Sequence, residues 1–405
     1  MIKKNLIVKN IFPKKCLNKN LEKKFADHFY KILKEIKNNV DKHDNTYNSL
    51  SNNFKFNFKI EELKKFNKYK TVVIIGMGGS ILGSEAIYGF LKKKIKKVFY
   101  FFDNIDDEKI LNFKKKENIN KTLFLIISKS GNTIETLSNT LFLNIIKKNK
   151  KNIIIISENN NNILFALSKK FNLFYIEHRK HLGGRYSVLS EVGIIPAYLM
   201  GLDIYKLRKN LNKYLINEEK NYLKDSVIKL ANILHQGKYP NLIFLNYAPQ
   251  LENFLYWCQQ LIAESLGKNG KGFLPVISNT PKDHHSLLQL YLDGPKNKLF
   301  HIFSIEEKNN TKLNTKKVTG QVNYLHNKNL NKIKIAQKNA LIKVLKRKKI
   351  PYRECKVKKI NEETLGELFS YYILEVSMVG KLIGINPFDQ PAVEEVKIYT
   401  KKLLS

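Results

Sequence analysis

At 405 residues, 43% of them hydrophobic, the chain is long enough for two domains with cores of their own, and this composition excludes disorder throughout. A formal charge of +37 would suit a nucleic acid or a membrane surface, but only five of the 72 basic residues are arginines and the lysines are spread along the whole chain. The charge therefore reads as composition bias whose positive field attracts small anions.

No run approaches the roughly 18 apolar residues of a membrane span, and the N-terminal stretch lacks a signal-peptide core. Cys16, Cys258 and Cys355 are scattered, which fits neither a disulfide framework nor a zinc site. The expectation is a cytoplasmic protein with neither nucleic acid nor membrane as partner. In chain order, apolar residues at helical spacing (Leu21, Phe25, Phe29, Ile32, Leu33, Ile36) predict a helix over 20–42, and the polar run from His43 to Asn53 reads as a linker. Strands are then predicted at Val72–Ile75, Val98–Phe102, Leu123–Ile127, Ile153–Ile156 and Leu173–Ile176, alternating with helical patterns. After a helical stretch at 204–236 the alternation restarts, with strands at Leu242–Leu245, Leu274–Ile277, Leu299–Ile305 and Tyr352–Val357. Such alternation predicts parallel sheets wrapped by helices. The domain division that follows is a helical arm and linker at 1–53, α/β domains at 54–200 and 201–380, and a loop and helix at 381–405.

Chemistry concentrates in six segments. IIGMGGSILG runs from a strand into Gly76, Gly78, Gly79 and Ser80, where backbone amides can approach an anion at a helix start; a dinucleotide fingerprint would need glycine at Ile81. LIISKSGNTIETL places Ser128, Ser130 and Thr133 at the next such turn, either as a phosphate cradle or as a helix N-cap. HLGGRYSVLSEVG sets Arg185 behind Gly183 and Gly184, as a stabiliser of developing negative charge or as a surface ion pair. In YWCQQLIAESLGKNGKG, Gln260 and Glu264 share one helix face, so Glu264 is either a base or a solvated carboxylate. NTPKDHHSLLQLYLDGP carries His284 and His285, which as neighbours point apart and make a poor chelating pair; one of them as acid or base is the better functional reading. NPFDQPAVEEVK holds Gln390 and Lys397 nearly two helical turns apart.

In this order the six segments resemble the phosphoglucose isomerase family over roughly residues 70–400, with GGRYSVLSEVG and FDQPAVEEVK similar to its two signature segments. The resemblance implies two sugar-isomerase domains, each a doubly wound parallel sheet, and a homodimer. It also implies interconversion of glucose 6-phosphate and fructose 6-phosphate in glycolysis and gluconeogenesis, without metal or organic cofactor. It implies that Gly79, Ser80, Ser128, Lys129, Ser130 and Thr133 surround the sugar phosphate, while Gln260 and Gln390 orient the substrate. Glu264 would move the proton, Arg185 would stabilise the enediolate, and His285, donated across the dimer interface, would open the ring with Lys397. The departures are His284 where the family usually has Gln, Asn132 where Thr is frequent, and Ala392 where Gly is common; none removes an ionisable catalytic group. A regulatory sugar-phosphate module and an isomerase of mannose or glucosamine phosphates are the rival readings.

Overall fold

The computed structural model describes residues 5–216, 219–306, 311–316, 318 and 320–405. Ten strands form two sheets. β1 (Leu6–Ile11) precedes β2 (Thr71–Ile75), β3 (Val98–Phe102), β4 (Thr122–Ile127), β5 (Ile153–Ser157) and β6 (Phe174–Glu177). β7 (Asn241–Asn246), β8 (Leu274–Asn279), β9 (Lys298–Ile305) and β10 (Tyr352–Val357) follow. The first sheet has the order β3-β2-β4-β5-β6 and is parallel throughout. The second has the order β1-β10-β9-β7-β8 and is parallel except for β1, which runs antiparallel to β10.

The predicted strands all form, and the reason lies in their composition: β4 and β9 are buried at every position, as a strand covered by helices on both faces must be. Period-two alternation divides their side chains. Val72, Ile74, Leu123 and Leu125 face one large core that also receives Leu242, Phe244, Leu299 and Phe303 of the second sheet. Val73, Ile75, Phe124 and Ile126 face a smaller core on the far side of the first sheet, and Ile243, Leu245, Phe300 and Ile302 do the same for the second. The inner faces of both sheets thus meet in one apolar body, through which runs Glu362–Leu382, a helix buried on nearly all sides.

Two segments differ from the sequence expectation. β1 is an additional strand: Leu6 and Val8 point into the core, and Asn10 accepts a hydrogen bond from the buried Arg353 Nε at 2.7 Å. The polar run His43–Asn53 is not a solvated linker, since Tyr47, Asn48, Ser49 and Leu50 are buried. Arg208 explains it, donating to the carbonyls of Ser49 and Ser51, so the run's backbone is satisfied inside the protein. The helix Lys19–Asn39 forms as its spacing predicts, capped by Asn18 and burying Phe25, Phe29, Leu33 and Ile36. Among the described residues, no helix is long and apolar enough to cross a membrane.

Candidate active site

The turn leaving β2 and the loop following β6 meet at the carboxyl ends of the first sheet, where open α/β sheets bind ligands. Gly79 makes the meeting possible: a side-chain carbon there would lie 2.1 Å from the carbonyl carbon of Gly184 and 2.4 Å from the Arg185 nitrogen. Ser80 is buried in the same turn, just before the helix Leu82–Leu91.

Next along the sheet, β4 ends in a loop of hydroxyls. Ser128 Oγ lies 2.8 Å and Ser130 Oγ 3.5 Å from Thr133 Oγ1. Thr133 stands at the N-cap of Ile134–Phe142 but makes no side-chain capping bond, so the hydroxyls engage each other and not the helix amides. Capping is therefore not what this cluster does, and an anion at the helix start would find both hydroxyls and amides. The loop is tied down from behind. Asn132 Oδ1 accepts from the Ile163 amide at 3.0 Å, and the Gly131 carbonyl accepts from Leu164 at 3.1 Å. Gly131 itself has φ +65°, and Asn162 Oδ1 fills the space a side chain would need. Lys129 is an anchor in this arrangement: its ammonium donates to the Lys180 carbonyl at 2.8 Å and lies 3.6 Å from Glu158.

Arg185 is the centre of the second group, and it is wholly buried, which removes the surface ion-pair reading. A guanidinium carries five N–H donors, and all are engaged. Nε donates to Ser265 Oγ at 2.8 Å; Nη1 donates to Glu264 Oε2 at 3.1 Å and Gln390 Oε1 at 2.5 Å; Nη2 donates to the carbonyls of Pro387 at 2.6 Å and Asp389 at 2.9 Å. Glu264 Oε1 accepts from Gln260 Nε2 at 2.9 Å, so both carboxylate oxygens are held, while the Gln260 Oε1 atom is buried with no donor. One side of Glu264 stays open, 31% exposed, to a cleft of about 730 Å³ that Lys268, Asp389, Gln390 and Pro391 also border. That volume is in the range of small-molecule sites.

Sequence reasoning missed the supports of this group. Tyr186 Oη bonds Ser265 Oγ at 2.8 Å, and Lys268 pins the 386–389 turn by donating to the Asn386 carbonyl and the Asp389 carboxylate. The same Lys268 hydrogen bond holds the Asp389 carboxyl below its ordinary range. Their only signal was adjacency, since Tyr186 follows Arg185 and Ser265 follows Glu264.

The chain does not bring His285 or Lys397 to this group. His285 is exposed, just past the turn Lys282–His284, and Lys397 lies on the exposed helix Glu394–Leu404 with its ammonium 2.6 Å from Glu394. His284 has the more confined setting: its Nε2 lies 2.6 Å from Tyr247 Oη, and burial together with the neighbouring His285 lowers its pKa. Among the described residues no cluster of three or more His, Cys, Asp or Glu could hold a metal ion.

Comparison with known proteins gives a consistent picture. The family model described as phosphoglucose isomerase matches residues 31–280. A glucose-6-phosphate isomerase of Methanocaldococcus jannaschii is 35% identical over 362 residues, covering 84% of this chain and 85% of that one. One from Mycoplasmopsis synoviae is 33% identical, covering 82% and 81%. Among solved structures, a hypothetical protein from Thermus thermophilus superposes with a TM-score of 0.83 at 23% identity, covering 98% of this chain and all of that one. A glucose-6-phosphate isomerase from Chlamydia trachomatis superposes with a TM-score of 0.71 at 18% identity, over 85% of this chain and 71% of that one. These two likenesses concern the fold.

Proposed function

The chain belongs to the phosphoglucose isomerase family and interconverts glucose 6-phosphate and fructose 6-phosphate, and from that premise we propose how its residues divide the reaction. Isomerisation moves a proton between C2 and C1, which one carboxylate can abstract and return if the enediolate oxygen meets positive charge. The observation that carries the assignment is the buried Arg185 holding Glu264 at the wall of a sugar-sized cleft. Glu264 is the base. Because every Arg185 donor already has a partner, Arg185 acts on the enediolate as a fixed charge in a poorly solvated place, and it orients Glu264 and Gln390 at the same time. The unpartnered Gln260 Oε1 awaits a substrate hydroxyl.

The phosphate goes to the loop Ser128–Thr133, with Ser80 and Gly79 beside it and Lys129 bracing it. Its binding energy positions the reacting carbons, so free glucose is expected to be a very poor substrate. Glu264→Gln should lower turnover by about 10² to 10⁴ while leaving affinity for a phosphate ligand nearly intact. A coupled assay in the presence of a chelator measures this, and near-normal turnover would remove Glu264 from the role.

His285 and Lys397 are assigned to ring opening, and a homodimer in which His285 enters the partner's cleft is the reading its exposure supports. Mixing Glu264→Gln with His285→Ala subunits tests this. A shared site restores roughly a quarter of wild-type activity in random dimers, because one site of each mixed dimer is intact. A tagged heterodimer as inactive as its parents excludes the shared site. We also retain two sugar-isomerase domains at 54–200 and 201–380, with the 1–53 arm reaching the second sheet through β1 and 381–405 completing the site. A cytoplasmic location agrees with the three free, buried cysteines, and cell fractionation checks it.

A further inference from the structure

Four cationic side chains of the described chain are at least nine-tenths buried: Arg185, Arg353, Lys338 and Lys298. Burying a charge is costly unless a counter-charge accompanies it. Three of them have one: Arg185 has Glu264 at 3.1 Å, Arg353 has Glu375 at 2.9 Å, and Lys338 has Glu354 at 3.8 Å. Lys298, 8% exposed, has only neutral acceptors, the Pro295 carbonyl at 2.8 Å and Asn297 Oδ1 at 3.3 Å.

Its surroundings add positive charge. Lys298 opens β9 at the amino ends of the second sheet, beside Asn241 of β7, and the cavity there shares no lining residue with the cleft beside Glu264. This cavity, of about 170 Å³, is lined by Lys15, Lys296, Lys298, Lys348 and Lys349 and by no carboxylate. Among the described residues none of these five lysines forms an ion pair. Burial, and then the neighbouring charge of Lys296, lower the Lys298 pKa, and the two neutral acceptors offset this cost without supplying a counter-charge. A site needs about 10–15 Å³ of this kind of space to hold one water, so the cavity has room for a phosphate group. A cleft at the corresponding end of the first sheet, bordered by Lys65, Lys68, Lys150 and Lys151, is wider, and none of its lysines is buried.

We propose that the cavity around Lys298 is a second anion site, separate from the catalytic cleft, that takes a phosphate-class oxyanion as the counter-charge Lys298 lacks. The anion would also lie against Lys348 and Lys349 at the end of the helix Leu330–Arg347.

Equilibrium dialysis of the full chain against labelled inorganic phosphate at low ionic strength tests the site. The expected result is two phosphates per chain. Lys298→Met should weaken one of them by about tenfold or more, the effect of removing one charge-assisted contact. Should that variant fold poorly, the surface pair Lys348→Ala with Lys349→Ala gives the same reading. In both, competitive inhibition of isomerisation by phosphate is expected to stay unchanged, because that reports the catalytic cleft. Fructose 6-phosphate distinguishes the source of the anion: it clears only the catalytic phosphate if the second site takes free oxyanions, and both if it accepts phosphate esters. A single bound phosphate, or a second one indifferent to all three lysines, overturns the proposal.

Discussion

Arg185 and Lys397 stand in motifs of similar weight in the sequence, yet the chain treats them in opposite ways. Arg185 is enclosed, with five donors met by residues 264, 265, 387, 389 and 390. Lys397 lies on a fully exposed helix and pairs only with Glu394, one turn back. The same division separates Glu264, both of whose oxygens are held, from the exposed His285. The groups proposed to present a fixed charge to the transition state are held by several partners each, an arrangement in which preorganised donors and charges act most strongly. Groups assigned to ring opening stay at the surface, where a second element can reach them.

Substitution at Arg185 puts the largest strain on this contrast. Arg185→Ala should abolish most turnover, by about 10² to 10³. It should also destabilise the fold, by about 1–3 kcal/mol for each buried polar group left without its partner, since the Ser265 hydroxyl and the Pro387 carbonyl lose the Arg185 donor in the interior. Arg185→Lys should rescue little of either, because an ammonium has three donors and no planar fork. Parallel assays of turnover and denaturant midpoint check this; a stable, active Arg185→Lys protein would mean that the enclosed network is not needed. A smaller effect is expected behind the loop 128–133, proposed above to hold the phosphate. Asn162 caps the helix Ile163–Lys170 by accepting from Phe165 and donates to the Glu158 carbonyl. Asn162→Ala should cost about 1 kcal/mol as a lost cap and raise KM for the sugar phosphate more than it lowers kcat. An equal fall in kcat would place the loop in the chemical step.

Glu85 sharpens the comparison from the other side, as a half-buried carboxyl without a guanidinium partner. Burial first, then the like charge of Asp103, raise its pKa to about 7, with Lys109 opposing only in part. An ordinary glutamate titrates near 4.5, so between these values the folded chain binds more protons than the unfolded one. Stability from this group is therefore lost as pH rises from about 4.5 to about 7. Glu85→Gln should raise the melting temperature at pH 8 and leave it unchanged near pH 4. Melting curves at the two values decide it, and a uniform shift would show that charge is not the cause.

The strands after residue 70 were legible because a parallel strand covered on both faces must be apolar along its length, as Ile153–Ile156 is. β1 was not, because an edge strand needs only Leu6 and Val8 inside, and the polar pair Lys9 and Asn10 masks so short an alternation. The burial of Tyr47–Leu50 depends on Arg208, about 160 positions away, which no local pattern announces. In the site, Arg185 and Glu264 were visible as a cation in a glycine loop and a carboxylate on a helix face. Ser265 and Tyr186 were not, for they act through Arg185 and carry no motif of their own. The roles of His285 and Lys397 rested on resemblance alone, and the single chain leaves both at its surface.

The pairing of β1 with β10 also orders events during synthesis. Leu6 lies opposite Val357 and Ile11 opposite Tyr352, so β1 waits until residues 352–357 have been made before its partner exists. The first sheet, complete by residue 177, has no such delay and can assemble while the second is still being made. Before β10 arrives β1 has no partner on either side, and afterwards it remains the outer edge of the sheet, where Lys9 at its centre is a charge that keeps such an edge from joining another chain.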